Sequence, residues 1–173
     1  MRGWASIYER RSQQLSPFVA AFLVFGVYFP TSLHRSAWSD DYPNLEGFVF
    51  SFGLSRGQPV SGVVQFLGFH LAGDIDGLRF LRILGLLGTA TLVWWLARFL
   101  LANGLSPCSA ALFAMTAGFL PSFHFSAGWA TVFPGSWQCL LSAIAGMLWV
   151  DAECGRRNCR RISAVLLMTA MLL

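Results

Sequence analysis

Apolar residues in this chain gather into five long runs separated by shorter polar stretches. About 20 consecutive apolar residues make one membrane crossing. On that measure the first run predicts a helix from about Ser16 to Leu33, and the second a helix from about Leu78 to Leu101. A third is expected from about Pro107 to Phe123 and a fourth from about Phe133 to Val150. The fifth begins near Ile162 and stops at Leu173. Twelve helical residues cover about 18 Å, against a hydrocarbon core of about 30 Å. The pattern therefore predicts an all-α, polytopic membrane helix bundle with four full spans and a truncated fifth. Residues 1–173 are accordingly expected to be the N-terminal portion of a single transmembrane domain.

The long polar stretch, residues 34–77, has its own pattern. Asn44 is placed to cap a short helix in which Leu45, Phe48, Val49 and Phe52 share one face. Gly53 to Gly57 reads as a break, after which Pro59 opens a second helix that Gly73 closes. Val60, Val63, Val64, Leu67 and Leu71 line one side of it, with Glu46, Ser61 and Gln65 on the polar faces of the pair. Short amphipathic helices between spans are expected to lie in the interface plane. Ser106-Pro107 supplies an N-cap and a proline at the first helical position. Pro121 is expected to end or kink the third helix.

Composition strengthens the membrane reading: 55% of residues are hydrophobic, 12% are charged, and the mean hydropathy is +0.58. A soluble domain carries about twice that charged fraction. All twelve basic residues are Arg, and they report topology rather than a nucleic-acid stripe. Arg2, Arg10 and Arg11 precede the first run, Arg98 marks the end of the second, and Arg156, Arg157, Arg160 and Arg161 precede the fifth. Alternating helices put all of these on one side, the positive-inside pattern. The N-terminus is then cytoplasmic and the 34–77 loop faces outward, as in a bacterial inner membrane protein. Cys154 and Cys159 fall on the cytoplasmic side with no His near them in sequence, short of the four ligands of a zinc site.

Candidate chemistry centres on Trp38-Ser39-Asp40-Asp41-Tyr42. Adjacent carboxylates just outside a membrane helix are costly to hold unless they face water, a metal or a substrate. Either one can act as a general base, the pair can hold Mg²⁺ or Mn²⁺, or the segment is ordinary turn chemistry. Arg79 and Arg82 lie one turn apart at the outer end of the second helix. They can grip a phosphate, snorkel to headgroups or pair with Asp74 and Asp76. His124 is a candidate proton carrier or an interfacial side chain. Phe119, Phe123, Phe125, Trp129, Phe133 and Trp137 form either an aromatic belt or a platform for sugar rings.

The order of one span, Ser39-Asp40-Asp41-Tyr42, two short helices and a returning Arg-headed span resembles the N-terminal part of a GT-C-type integral-membrane glycosyltransferase. Arg56-Gly57-Gln58-Pro59 and Leu78-Arg79-Phe80-Leu81-Arg82-Ile83-Leu84-Gly85 carry the rest of the resemblance, which covers roughly residues 10–150. It implies transfer of a sugar from a polyprenyl-phosphate-linked donor to a cell-envelope glycan, lipid or protein acceptor at the outer face. Asp40 or Asp41 would be the catalytic acid, with Arg56, Gln58, Arg79, Arg82 and His124 as substrate-binding candidates. The partners implied are the lipid bilayer and the polyprenyl-phosphate sugar, not nucleic acid. The alternative is a non-catalytic scaffold, assembly subunit or truncated inactive relative. A coupled transporter is disfavoured, because the predicted helix cores lack acidic residues and His.

Overall fold

A computed structural model describes residues 2–34, 37, 41–46, 59–153 and 157–172, and for residues 2–12, 126–127, 151–153, 157–161 and 171–172 it describes the backbone alone. Among the described residues every regular element is helical. They are α1 (Arg2–Ser32), α2 (Asp41–Leu45), α3 (Pro59–Ala72), α4 (Leu78–Ala102), α5 (Pro107–Gly118), α6 (Pro121–Gly128), a 3₁₀ turn (Ala130–Val132), α7 (Phe133–Glu153) and α8 (Arg157–Leu172).

Among the described residues three segments are long and apolar enough to cross a membrane: Gln13–Ser32, Leu78–Ala102 and Ala130–Val150. The expected third span is divided. Its helix stops at Gly118 after 12 residues, about 18 Å, and a second helix starts at Pro121. Pro121 thus opens a helix instead of ending one. Proline needs no hydrogen-bonded N–H at the first helical position and biases the residue before it towards extended backbone. Leu120 adopts that conformation, with φ −60° and ψ 144°. The Ser106 cap forms as its sequence requires, its hydroxyl accepting from the Ser109 N–H at 3.2 Å.

α4 is the hub of the bundle, touching α1, α3, α5, α6 and α7. One apolar cluster joins α1, α4 and α5 through Ala20, Val24, Tyr28, Leu86, Val93, Ala97 and Ala114. Small residues let the backbones close in, as helices must when lipid supplies no hydrophobic drive between them. A Cβ on Gly118 would run into Val93 and Val24, and one on Gly88 would meet Ser136 and Trp137 of α7. Those two α7 side chains also donate across the seam, Ser136 Oγ to the Gly85 carbonyl at 2.7 Å and Trp137 Nε1 to the Leu84 carbonyl at 3.0 Å. α8 packs against α7, where the buried Ser163 hydroxyl donates to the Ala145 carbonyl at 2.7 Å.

A second cluster sits at the Leu78 end of α4. Phe69, Leu78, Leu81, Ala130 and Phe133 form its centre, with Ala37, Leu45, Val64 and Ala72 packed against them. It gathers the described parts of the long loop, α3, and the starts of α4 and α7 around one end of the bundle. Gly73 closes α3 at φ +69°, a left-handed turn suited to glycine. The face of α3 against the bundle is Ser61, Gly62, Gly68 and Phe69, whereas Val63, Phe66, Leu67 and Leu71 are exposed. The stripe of valines and leucines read from sequence therefore splits: Val64 packs against the cluster, Val60 is half-buried, and Val63, Leu67 and Leu71 are exposed.

Candidate functional site

Asp41 begins α2, and Pro43 fits this short helix because a first-turn proline sacrifices no helical hydrogen bond. The Asp41 side chain is wholly buried. Its Oδ1 accepts two bonds from Thr131 in the 3₁₀ turn, from the backbone N–H at 3.0 Å and from the hydroxyl at 2.7 Å. Its Oδ2 lies 3.6 Å from Nη2 of Arg82, whose side chain is just 1% exposed. Nη1 of the same guanidinium donates to the His34 carbonyl at 2.6 Å, just beyond the end of α1.

Thr131 is used at every polar atom. Asn44 Nδ2 donates to its hydroxyl oxygen at 3.1 Å, and Gln65 Nε2 donates to its carbonyl at 2.9 Å. The node thereby links the end of α1 with α2, α3, α4 and the turn before α7. A buried carboxylate beside a buried guanidinium persists only when paired and hydrogen-bonded, and both conditions are met here. As a proton acceptor Asp41 is poorly placed, because two donors hold one oxygen, a cation faces the other, and no surface reaches solvent. The same crowding leaves it unsuited to Mg²⁺ or Mn²⁺, which need carboxylate lone pairs. Among the described residues no group of three His, Cys, Asp or Glu side chains forms a metal-binding cluster.

Of the residues singled out from sequence, the structure brings Asp41 and Arg82 together. Asp40, Arg56 and Gln58 lie outside the described residues, as does most of the first predicted loop helix. The helix that is described there starts at Asp41, ahead of Asn44, and Asn44 Nδ2 donates to Thr131. Arg79 and Arg82 diverge: Arg79 pairs with Asp76 near the surface, and Arg82 turns inward. His124 is exposed and meets Tyr28 of α1 edge to face, with ring centroids 5.5 Å apart. The aromatic group also divides. Phe119 and Phe125 are exposed, Phe133 is buried, and Trp137 is tied to α4.

Sequence reasoning missed Thr131, which sits in the plain stretch Ala130-Thr131-Val132. Its one signal is a polar residue at the mouth of an apolar span, too common to single out. The chain finds no match among models of known protein families, curated proteins or solved structures.

Proposed function

We propose that this chain belongs to a membrane-embedded glycosyltransferase that takes its sugar from a polyprenyl-phosphate donor at the outer face. The observation that carries the reading is the Asp41–Arg82–Thr131 node. It fastens the acid-bearing segment to the end of a lipid-spanning helix, and an ionisable pair in that setting is a functional signature by default. In the reaction, the acceptor hydroxyl oxygen bonds to the anomeric carbon while the bond from that carbon to the donor phosphate breaks. The phosphate leaves with the electron pair, and the hydroxyl proton passes to a carboxylate, for which Asp40 is the candidate. Arg56 and Gln58 are assigned to the substrates. In this reading α3 is an interfacial helix, its exposed Val63, Phe66, Leu67 and Leu71 set among the lipid tails. The donor's isoprenoid chain then arrives through the same leaflet.

The test compares membranes from cells making the protein with membranes from cells lacking it. Transfer is followed from radiolabelled polyprenyl-phosphate arabinose, mannose and glucose to endogenous acceptors. Protein-dependent transfer from one donor, reduced about 10²- to 10⁴-fold by Asp40→Asn, is the expected result. Equal transfer by both membranes with all three donors would sink the reading.

One feature favours a second reading. Both carboxylate oxygens of Asp41 and every polar atom of Thr131 meet partners inside the protein. A scaffold subunit that kept the fold and lost the chemistry would need no more than this.

A further inference from the structure

At the end of α4 away from the buried node, another arginine meets different surroundings. Arg98 is exposed, and its guanidinium carbon lies 6.0 Å from the ring centre of Trp94, one turn before it. The same indole meets Phe18 of α1, with ring centroids 5.9 Å apart, and so sits at the α1–α4 seam. Its Nε1 is buried without a hydrogen-bond partner, whereas Nε1 of Trp137 donates to the Leu84 carbonyl. A buried donor with no acceptor is unfavourable wherever water does not reach it. Arg98 lacks a counter-charge as well. Residues 12–39 and 77–150 contain no Asp or Glu, so α4, α5 and α1 from Ser12 onward offer it no carboxylate.

Depth decides which acceptor fits. Trp94 and Arg98 stand eight and four residues before Ala102, about 12 and 6 Å from the end of α4. The 25 residues of α4 span about 37 Å, against about 30 Å of hydrocarbon. A centred helix thus places Arg98 near the headgroup boundary and Trp94 just beneath it. We infer that the α1–α4 seam binds one anionic glycerophospholipid, its phosphate held by the Arg98 guanidinium and the Trp94 indole N–H. The guanidinium fork matches phosphate oxygens, and the indole adds a directional donor. Phe18, 59% exposed, and the exposed Arg98 are the side chains set against the indole. A phosphate therefore reaches Nε1 by moving surface groups, without opening the bundle. Phe22, one turn beyond Phe18, and Leu87, two turns before Trp94, continue an exposed apolar strip towards the middle of the span, where the acyl chains lie. A zwitterionic headgroup would bring its own cation towards an unpaired guanidinium, which disfavours it. On the orientation read from the arginines this is the cytoplasmic leaflet. The site stands independently of the glycosyl-transfer reading.

The experiment is native mass spectrometry of the full chain released from micelles holding equal amounts of phosphatidylglycerol and phosphatidylcholine. The parent protein is expected to prefer phosphatidylglycerol as its first bound lipid by about fivefold or more, the effect of one arginine on an anionic headgroup. Trp94→Phe keeps the ring and the net charge but removes the N–H. It is expected to weaken the first phosphatidylglycerol about tenfold, the loss of one hydrogen bond to a charged acceptor. Arg98→Gln is expected to abolish the preference. Trp95→Phe removes an indole N–H one residue away, from a ring stacked on Phe99, and is expected to bind as the parent does. An excess of inorganic phosphate is expected to leave the lipid in place, because the apolar strip belongs to the site.

A parent protein that takes both lipids equally overturns the inference. So does a Trp94→Phe variant with the parent's affinity, since any preference then comes from surface charge alone. A Trp95→Phe variant weakened as much as Trp94→Phe overturns the assignment to the seam. Displacement by inorganic phosphate would make the place a free-anion site and remove the lipid from it. Should Arg98→Gln fail to accumulate, Trp94→Phe decides, because it leaves the charge and nearly all of the ring in place.

Discussion

Replacing Arg82 by Met tests the energetics of the node most directly. Met approximates the length of the arginine stem but brings no charge, so it leaves the buried Asp41 carboxylate facing an apolar side chain. The separation is 3.6 Å. At an effective dielectric of about 20, unit charges that far apart attract by about 4–5 kcal/mol. The His34 carbonyl also loses its donor, while Thr131 continues to hold the other oxygen of Asp41. Removing one partner of a buried pair costs about 3–5 kcal/mol in general, and the same range is expected here. The assay is unfolding of the protein in mixed micelles by SDS titration, read through tryptophan fluorescence. Two controls separate the charge effect from general damage. Arg79→Met breaks a pair that is 30% and 61% exposed, so solvent screening holds its cost below about 1 kcal/mol. Asp41→Asn combined with Arg82→Met removes the stranded charge and should recover about 2 kcal/mol relative to Arg82→Met, a coupling of the size seen between contacting groups. Arg82→Met within about 1 kcal/mol of the parent protein would refute the argument, as would a double variant whose loss is the sum of the single losses.

Two further predictions concern the lipid-facing and interhelical surfaces. Leu67→Cys labelled with bimane should be quenched by lipids brominated on their acyl chains and little affected by aqueous iodide, because Leu67 belongs to the exposed apolar stripe of α3; the reverse pattern would take α3 out of the membrane interface. Gly88→Ala should destabilise by about 1–3 kcal/mol, since the added methyl meets Ser136 and Trp137 at the α4–α7 seam. Gly146→Ala, with nothing near its new methyl, should be neutral or stabilising by up to about 1 kcal/mol in the same SDS titration.

Hydrophobic pattern alone determined that this protein is a helical membrane protein. Apolar runs as long as Gln13–Ser32, Leu78–Ala102 and Ala130–Val150 need a low-dielectric surround, and only a helix satisfies their backbone hydrogen bonds without outside partners. The cap at Ser106 and the left-handed close at Gly73 were legible for the same reason: each depends on one residue type and its immediate neighbours. Hydropathy averages could not see the break between Gly118 and Pro121, because a short apolar gap does not change a window's mean while a proline redirects the backbone. Nor could the sequence choose among the roles open to Arg79 and Arg82, which are alike in type and one turn apart. Tertiary structure decided that, by bringing Asp41 and Thr131, 90 residues apart, to the buried side where Arg82 points, and leaving Arg79 beside its local partner Asp76. Pairing across that distance depends on how α4, α7 and the loop pack, and burial is what turns a loop aspartate into an anchor.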